Sequence, residues 1–121
     1  MYIIKKQFHF SASHIIEGLP PEHQCGRLHG HNYAVEIVLE AEELDEVGFV
    51  VDYGDLKPFK AILDDELDHR HLNDILPGST TAESIAAWLY GRAKAIWPEV
   101  SAVRVSETPR TWAEYRPRTQ Q

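Results

Sequence analysis

From His29 to Leu39 the chain alternates: His29, His31, Tyr33, Val35, Ile37 and Leu39 share one parity, while Asn32, Glu36 and Glu40 mark the other. A strand repeats every two residues, so this pattern predicts an extended segment with two chemically distinct faces. A chain holding such a strand needs a sheet and a covering layer. The same parity puts two imidazoles, one glycine apart, on one face. Two imidazoles on one face can share an ion, and zinc takes three or four protein ligands drawn from His, Cys and carboxylates.

Residues 2–13 alternate less perfectly, with Phe8, Phe10 and Ala12 on one parity, and predict a second strand whose apolar face runs on to His14. His14 is therefore the best third ligand. Residues 15–28, with Gly18, Pro20, Pro21 and Gly26, show neither period and read as a long loop carrying Cys25 and Arg27. Phe49, Val50 and Val51 are expected to extend the sheet through a hairpin after a turn near Asp45–Gly48. Leu56, Phe59, Ile62, Leu63 and Leu67 fall at near-helical spacing behind Asp52 or Asp55, which predicts a first helix over 55–67 with Pro58 in its first turn. Thr80-Thr81-Ala82-Glu83 contains a Thr-x-x-Glu capping box, and an apolar stripe from Ala82 to Trp97 predicts a second helix that Pro98 stops. Val103 and Val105, then Thr111–Arg116 after a turn at Pro109-Arg110, predict two final strands. The order ββααββ favours an α+β fold: an antiparallel four-stranded sheet with two helices packed on one face, in one domain spanning 1–121.

Composition narrows the function. With 121 residues, 43% hydrophobic and 26% charged, the chain has the make-up of one soluble globular core. A core this small gains from a metal or from subunit contacts. A formal charge of −7 argues against general nucleic-acid binding, whose phosphates need a basic face. No apolar run is long enough to span a membrane, and Met-Tyr-Ile-Ile-Lys-Lys turns polar before a signal sequence could form. A single cysteine cannot make an intrachain disulfide, which fits the cytoplasm and leaves the thiol free.

Three readings of Cys25 stand open: a fourth ligand closing a structural zinc site, a nucleophile or base beside an open site, or a small buried hydrophobe. Arg27 and the nearby histidines favour reactivity, because adjacent positive charge stabilises thiolate. Asp68-His69 sets a carboxylate beside an imidazole, an arrangement suited to proton shuttling if folding brings it to Cys25. Glu107 ends the face of Val103 and Val105, where a carboxylate can take the N–H edge of a pterin or guanine ring through paired hydrogen bonds. Of the scattered basic residues, Arg27 and Arg116 are kept as phosphate contacts.

Phe8-x-Phe-x-Ala-x-His14, Cys25-Gly-Arg-Leu-His-Gly-His31, Val51-Asp-Tyr-x-x-Leu-Lys57, Leu67-Asp-His-x-x-Leu-Asn73, Thr81-x-Glu83 and Glu107-Thr108 together span almost the whole chain. In them the sequence resembles the 6-pyruvoyltetrahydropterin synthase superfamily, most closely its bacterial 6-carboxytetrahydropterin synthase branch. The resemblance implies a tunnelling fold, a homo-hexamer of two stacked trimers, and active sites between subunits. It further implies that His14, His29 and His31 bind Zn2+, Cys25 is the base, Asp68 and His69 complete the acid–base group, and Glu107 anchors the pterin. The implied substrate is 7,8-dihydroneopterin triphosphate, cut to 6-carboxytetrahydropterin, acetaldehyde and triphosphate on the way to queuosine and other 7-deazapurines. The three residues between Cys25 and His29 match the bacterial branch and count against 6-pyruvoyltetrahydropterin synthase, which keeps the side chain. A non-catalytic zinc-stabilised domain is the reading from another class. Thr80, where bacterial relatives often have proline, and His71, where an aromatic is common, are the departures.

Overall fold

The structure, a computed structural model, describes residues 1–118; the last three residues of the domain expected over 1–121 lie outside them. Two long strands, β1 (Tyr2–His14) and β2 (His29–Ala41), pair antiparallel from Tyr2↔Ala41 to His14↔His29 without a break. Phe8, Phe10, Ala12 and His14 of β1 face the same side as Tyr33, Val35, Ile37 and Leu39 of β2, and all eight are buried. The two-residue period thus selects a single register, since a slip of one would turn every apolar side chain out.

β4 (Val100–Thr108) pairs with the other edge of β2 and β5 (Thr111–Tyr115) with β4, both antiparallel. The sheet holds five strands rather than four. The fifth, β3 (Arg70–His71), is only two residues long and runs parallel to β1, giving the order β3-β1-β2-β4-β5. Two helices cover one face as expected, α1 (Lys57–Ile62) and α2 (Ala82–Lys94). Ile85, Ala86, Leu89 and Ala93 of α2 and Phe59 of α1 are fully buried against the sheet.

Three local expectations are corrected. Phe49–Val51 form no strand: the Asp45 carboxylate accepts the N–H groups of Val47, Gly48 and Phe49, and this closed turn withholds that backbone from a ladder. The first helix is composite: a 3-10 turn at Tyr53–Leu56 leads into α1, which widens into a π-turn at Leu63–Leu67. Asp68 N–H reaches back five residues to the Leu63 carbonyl at 2.8 Å, which buries both Leu63 and Leu67 while carrying the chain to the edge of β1. The cap of α2 is Thr81, whose hydroxyl accepts Ser84 N–H, worth about 1 kcal/mol. Thr80 is turned inward and buried, with consequences for His14.

Candidate metal centre and active site

The strand register sets His14 directly across from His29, and Ala12 across from His31, so three imidazoles meet at one end of the β1–β2 pair. One nitrogen from each lies within 4.8 Å of the others. The backbone fixes two of the tautomers. His14 Nδ1–H donates to the Thr80 carbonyl at 2.8 Å, and His29 Nδ1–H donates to the Arg27 carbonyl at 2.6 Å. Each therefore keeps its lone pair on Nε2, and these two atoms face each other 3.0 Å apart. Two acceptors at that distance repel unless a cation lies between them. His31 Nε2 is buried with no hydrogen-bond partner among the described residues. Two opposed lone pairs and one orphaned ring nitrogen are a donor set that fits a metal ion.

Burial holds the His14 imidazole below its ordinary pKa, against the opposing pull of the Thr80 carbonyl and Glu107. His31 is lowered for the same first reason. Burial thereby favours the neutral ring in both, the form that ligates metal. Tyr33 floors the cluster: fully buried and stacked on Phe10 at 4.7 Å, it is packed edge-on to His31 at 5.4 Å. Burial raises its phenol well above the usual range, so it stays protonated.

Glu107 joins the cluster, its carboxylate 3.0 Å from His31 Nε2 and 3.7 Å from His14 Nε2, the closer approach falling outside hydrogen-bond geometry. Its aim comes from a bulge. Between Val105↔Ala113 and Thr108↔Thr111 the register shifts, so Ser106 and Glu107 together oppose Trp112. A bulge bends its strand and redirects a side chain. The same carboxylate lines a small cleft of about 180 Å³ with Ala82, Val105 and Trp112.

Asp68 and His69 pair within the chain, Asp68 Oδ2 accepting His69 Nδ1–H at 2.8 Å. Asp68 Oδ1 accepts Ser11 N–H at 2.8 Å, and His69 N–H donates back to the Ser11 carbonyl at 2.6 Å. These ties hold His69 in the left-handed region at φ 60°, a conformation that disfavours any side chain. Ser11 N–H is the main reason the Asp68 carboxyl lies below its usual range, with His69 second.

Cys25 stands apart from the metal donors. It sits half-buried in a 3-10 turn at Gln24–Gly26, with its N–H on His23 Nδ1 at 3.1 Å and its carbonyl accepting Ile16 N–H. No hydrogen bond joins it to Asp68 or His69 among the described residues. Arg27 is exposed and serves the cluster through its carbonyl, not its guanidinium. Arg116 lies at the far end of β2 from the histidines, on Glu40 at 2.7 Å and Glu114 at 3.4 Å, and in its own chain does not meet the site.

Two residues behind the histidines were not singled out by their sequence context. Thr80 supplies the carbonyl that orients His14. Asn73 clamps the residue after His14, accepting Ile15 N–H and donating to the Ile15 carbonyl, each at 2.9 Å. Its place in Leu-Asp-His-x-x-Leu-Asn was the available signal. Asn73→Ala is expected to cost about 1 kcal/mol of stability and to weaken metal binding about tenfold, since it loosens the support of one ligand. Metal titration of the folded variant measures this, and wild-type affinity would show that His14 holds its place unaided.

A model of the 6-pyruvoyl tetrahydropterin synthase family matches residues 3–118. The chain is 34% identical to the 6-carboxy-5,6,7,8-tetrahydropterin synthase of Bacillus subtilis, over 95% of this chain and 85% of that one. It is 36% identical to the dihydroneopterin monophosphate aldolase of Pyrococcus furiosus, over 80% of each. Among solved structures, the 6-pyruvoyl tetrahydropterin synthase of Caenorhabditis elegans superposes with a TM-score of 0.84 at 25% identity, over 97% of this chain and 96% of that one.

Proposed function

This chain belongs to the 6-pyruvoyl tetrahydropterin synthase family and is an enzyme of that family; on that premise we propose that it is a zinc-dependent lyase. In this reading it converts 7,8-dihydroneopterin triphosphate and one water to 6-carboxy-5,6,7,8-tetrahydropterin, acetaldehyde and triphosphate, a cytoplasmic step towards queuosine and other 7-deazapurines. The observation that carries the reading is the convergence of three imidazoles, two of them with Nδ1–H held by backbone carbonyls so that Nε2 keeps its lone pair.

His14, His29 and His31 would hold the ion, and zinc, when bound, would supply Lewis acidity towards the oxygens of the substrate side chain. Cys25, as thiolate, takes a carbon-bound proton, and triphosphate leaves. Asp68 holds His69 with Nδ1–H on the carboxylate, which leaves Nε2 free to pass protons. Glu107 borders both the imidazoles and the small cleft, so a ring bound to it through paired N–H donors lies beside the ion. A hexamer of two trimers, with the site shared between subunits, brings the Asp68–His69 pair of one copy to the Cys25 of another.

The Pyrococcus relative makes the phosphate state of the substrate the point to test. Incubating the purified protein with dihydroneopterin triphosphate and, separately, its monophosphate is expected to release acetaldehyde from the triphosphate. A pterin product without acetaldehyde would assign the synthase activity instead, and turnover of the monophosphate alone would favour an aldolase. Glu107→Ala is expected to raise KM for the pterin about 10- to 100-fold while metal stays bound, because a charge-assisted pair of hydrogen bonds is lost. An unchanged KM would remove Glu107 as the anchor.

A further inference from the structure

We propose that the groove beside β3 is an anion subsite that takes the polyphosphate tail of the substrate, with Arg70 as its charged anchor. The inference rests on the pterin-triphosphate reading above and extends it to a part of the substrate that the metal and Glu107 leave unheld.

The groove is open, about 480 Å³; Ser11, Ser13, Asn32, His69, Arg70 and His71 give it polar walls, and His31 of the imidazole cluster lines it too. The chain as a whole carries a formal charge of −7, yet no carboxylate lines this groove. The nearest in sequence, Asp68, has both oxygens engaged, one by Ser11 N–H and one by His69. Arg70 is exposed and makes no ion pair among the described residues. Arg92, Arg104 and Arg116, by contrast, each hold a glutamate. An unpaired guanidinium presents a fork of N–H donors that matches two phosphate oxygens at once.

The remaining polar groups are already held in place by one another, which lowers the ordering cost of binding. Ser13 Oγ meets His71 Nδ1 at 3.0 Å, and Ser11 Oγ donates to Asn32 Oδ1 at 2.6 Å. Arg70 and His71 are themselves held by the parallel pairing of β3 with Ala12 and Ser13. Because β3 begins at the residue after His69, a tail bound to Arg70 lies next to the imidazole proposed to pass protons. The two-residue strand that widened the sheet from four to five is what supplies this wall.

The test uses the metal-loaded protein and magnesium tripolyphosphate as an inhibitor, with bound metal measured before and after so that chelation is not read as binding. Tripolyphosphate is expected to inhibit competitively, and Arg70→Ala to weaken that inhibition about tenfold. The same variant is expected to raise KM for dihydroneopterin triphosphate about tenfold while changing the inhibition constant of unphosphorylated dihydroneopterin, which lacks the leaving group, less than about twofold. Arg70→Lys keeps a point charge without the fork and is expected to fall between. Equal inhibition of wild type and Arg70→Ala by tripolyphosphate, or an equal weakening of the phosphorylated and the unphosphorylated pterin, would overturn the subsite. Direct binding of tripolyphosphate is read without turnover: if it depends on Arg70 in a protein that does not turn over dihydroneopterin triphosphate, the subsite stands and the lyase reading falls. Pterin turnover that ignores Arg70 gives the converse.

Discussion

Cys25→Ala is expected to lower turnover of dihydroneopterin triphosphate by about 10²- to 10⁴-fold, the range for losing a positioned proton-transfer group, while one equivalent of metal stays bound. The separation comes from the local structure. The thiol is not among the nitrogen donors that meet at the metal centre. What Cys25 contributes to its turn is backbone, an N–H given to His23 and a carbonyl that receives Ile16 N–H, and alanine keeps both. The variant should therefore fold and load metal normally. Elemental analysis beside a turnover assay decides it: loss of metal would make Cys25 the fourth ligand of a closed structural site, and unchanged turnover would end its role as base.

His14→Ala is expected to have the opposite signature, with metal lost first and activity as a consequence. His14 is fully buried, and its two ring nitrogens do different work, Nδ1 on the Thr80 carbonyl and Nε2 at the cation site. Removing a ligand should cost more affinity than the ~10- to 100-fold typical of an outer partner. The Thr80 carbonyl also loses its donor in a buried setting, a penalty of about 1–3 kcal/mol. Binding to the folded state alone stabilises it, by about 4 kcal/mol when free ligand is about a thousandfold above Kd. A chelator should accordingly lower the melting temperature of the wild type and leave that of His14→Ala unmoved. Full metal occupancy in the variant would remove His14 from the ligand set.

The convergence of the three imidazoles was legible because strand parity is a local property with long-range consequences. Phe8 to His14 and His29 to Leu39 each declare a face, and antiparallel pairing of the two faces brings the histidines to one end. The position of Glu107 at the end of an apolar strand face was legible for the same reason, through Val103 and Val105. What parity does not encode is the register shift that opposes Ser106 and Glu107 to Trp112, because a bulge depends on both strands at once. Nor does it encode β3, two residues whose strand character exists only through their contact with Ala12 and Ser13. The capping box at Thr80 failed on a competition between neighbours. Thr81 satisfies the helix, which frees Thr80 to face His14. Phe49–Val51 failed because one aspartate captured three amides, Phe49's own among them, in a closed turn.

The wide turn at Leu63–Leu67 has a consequence for chain length. A turn that closes on the fifth residue holds one residue more than an α-turn, and that surplus delivers Asp68 to Ser11 and His69 to the rim of the groove. Deleting any one residue between Asp64 and Glu66 would restore the α-helical count and rotate the downstream residues by about 100°. The carboxylate would then swing away from Ser11 N–H. Exchanging the exposed Asp64 or Asp65 for another residue leaves the count intact. This stretch therefore tolerates a change of letter but not a change of number, so single-residue gaps within it, more than substitutions, should separate chains that keep the Asp68–His69 pair from chains that have lost it.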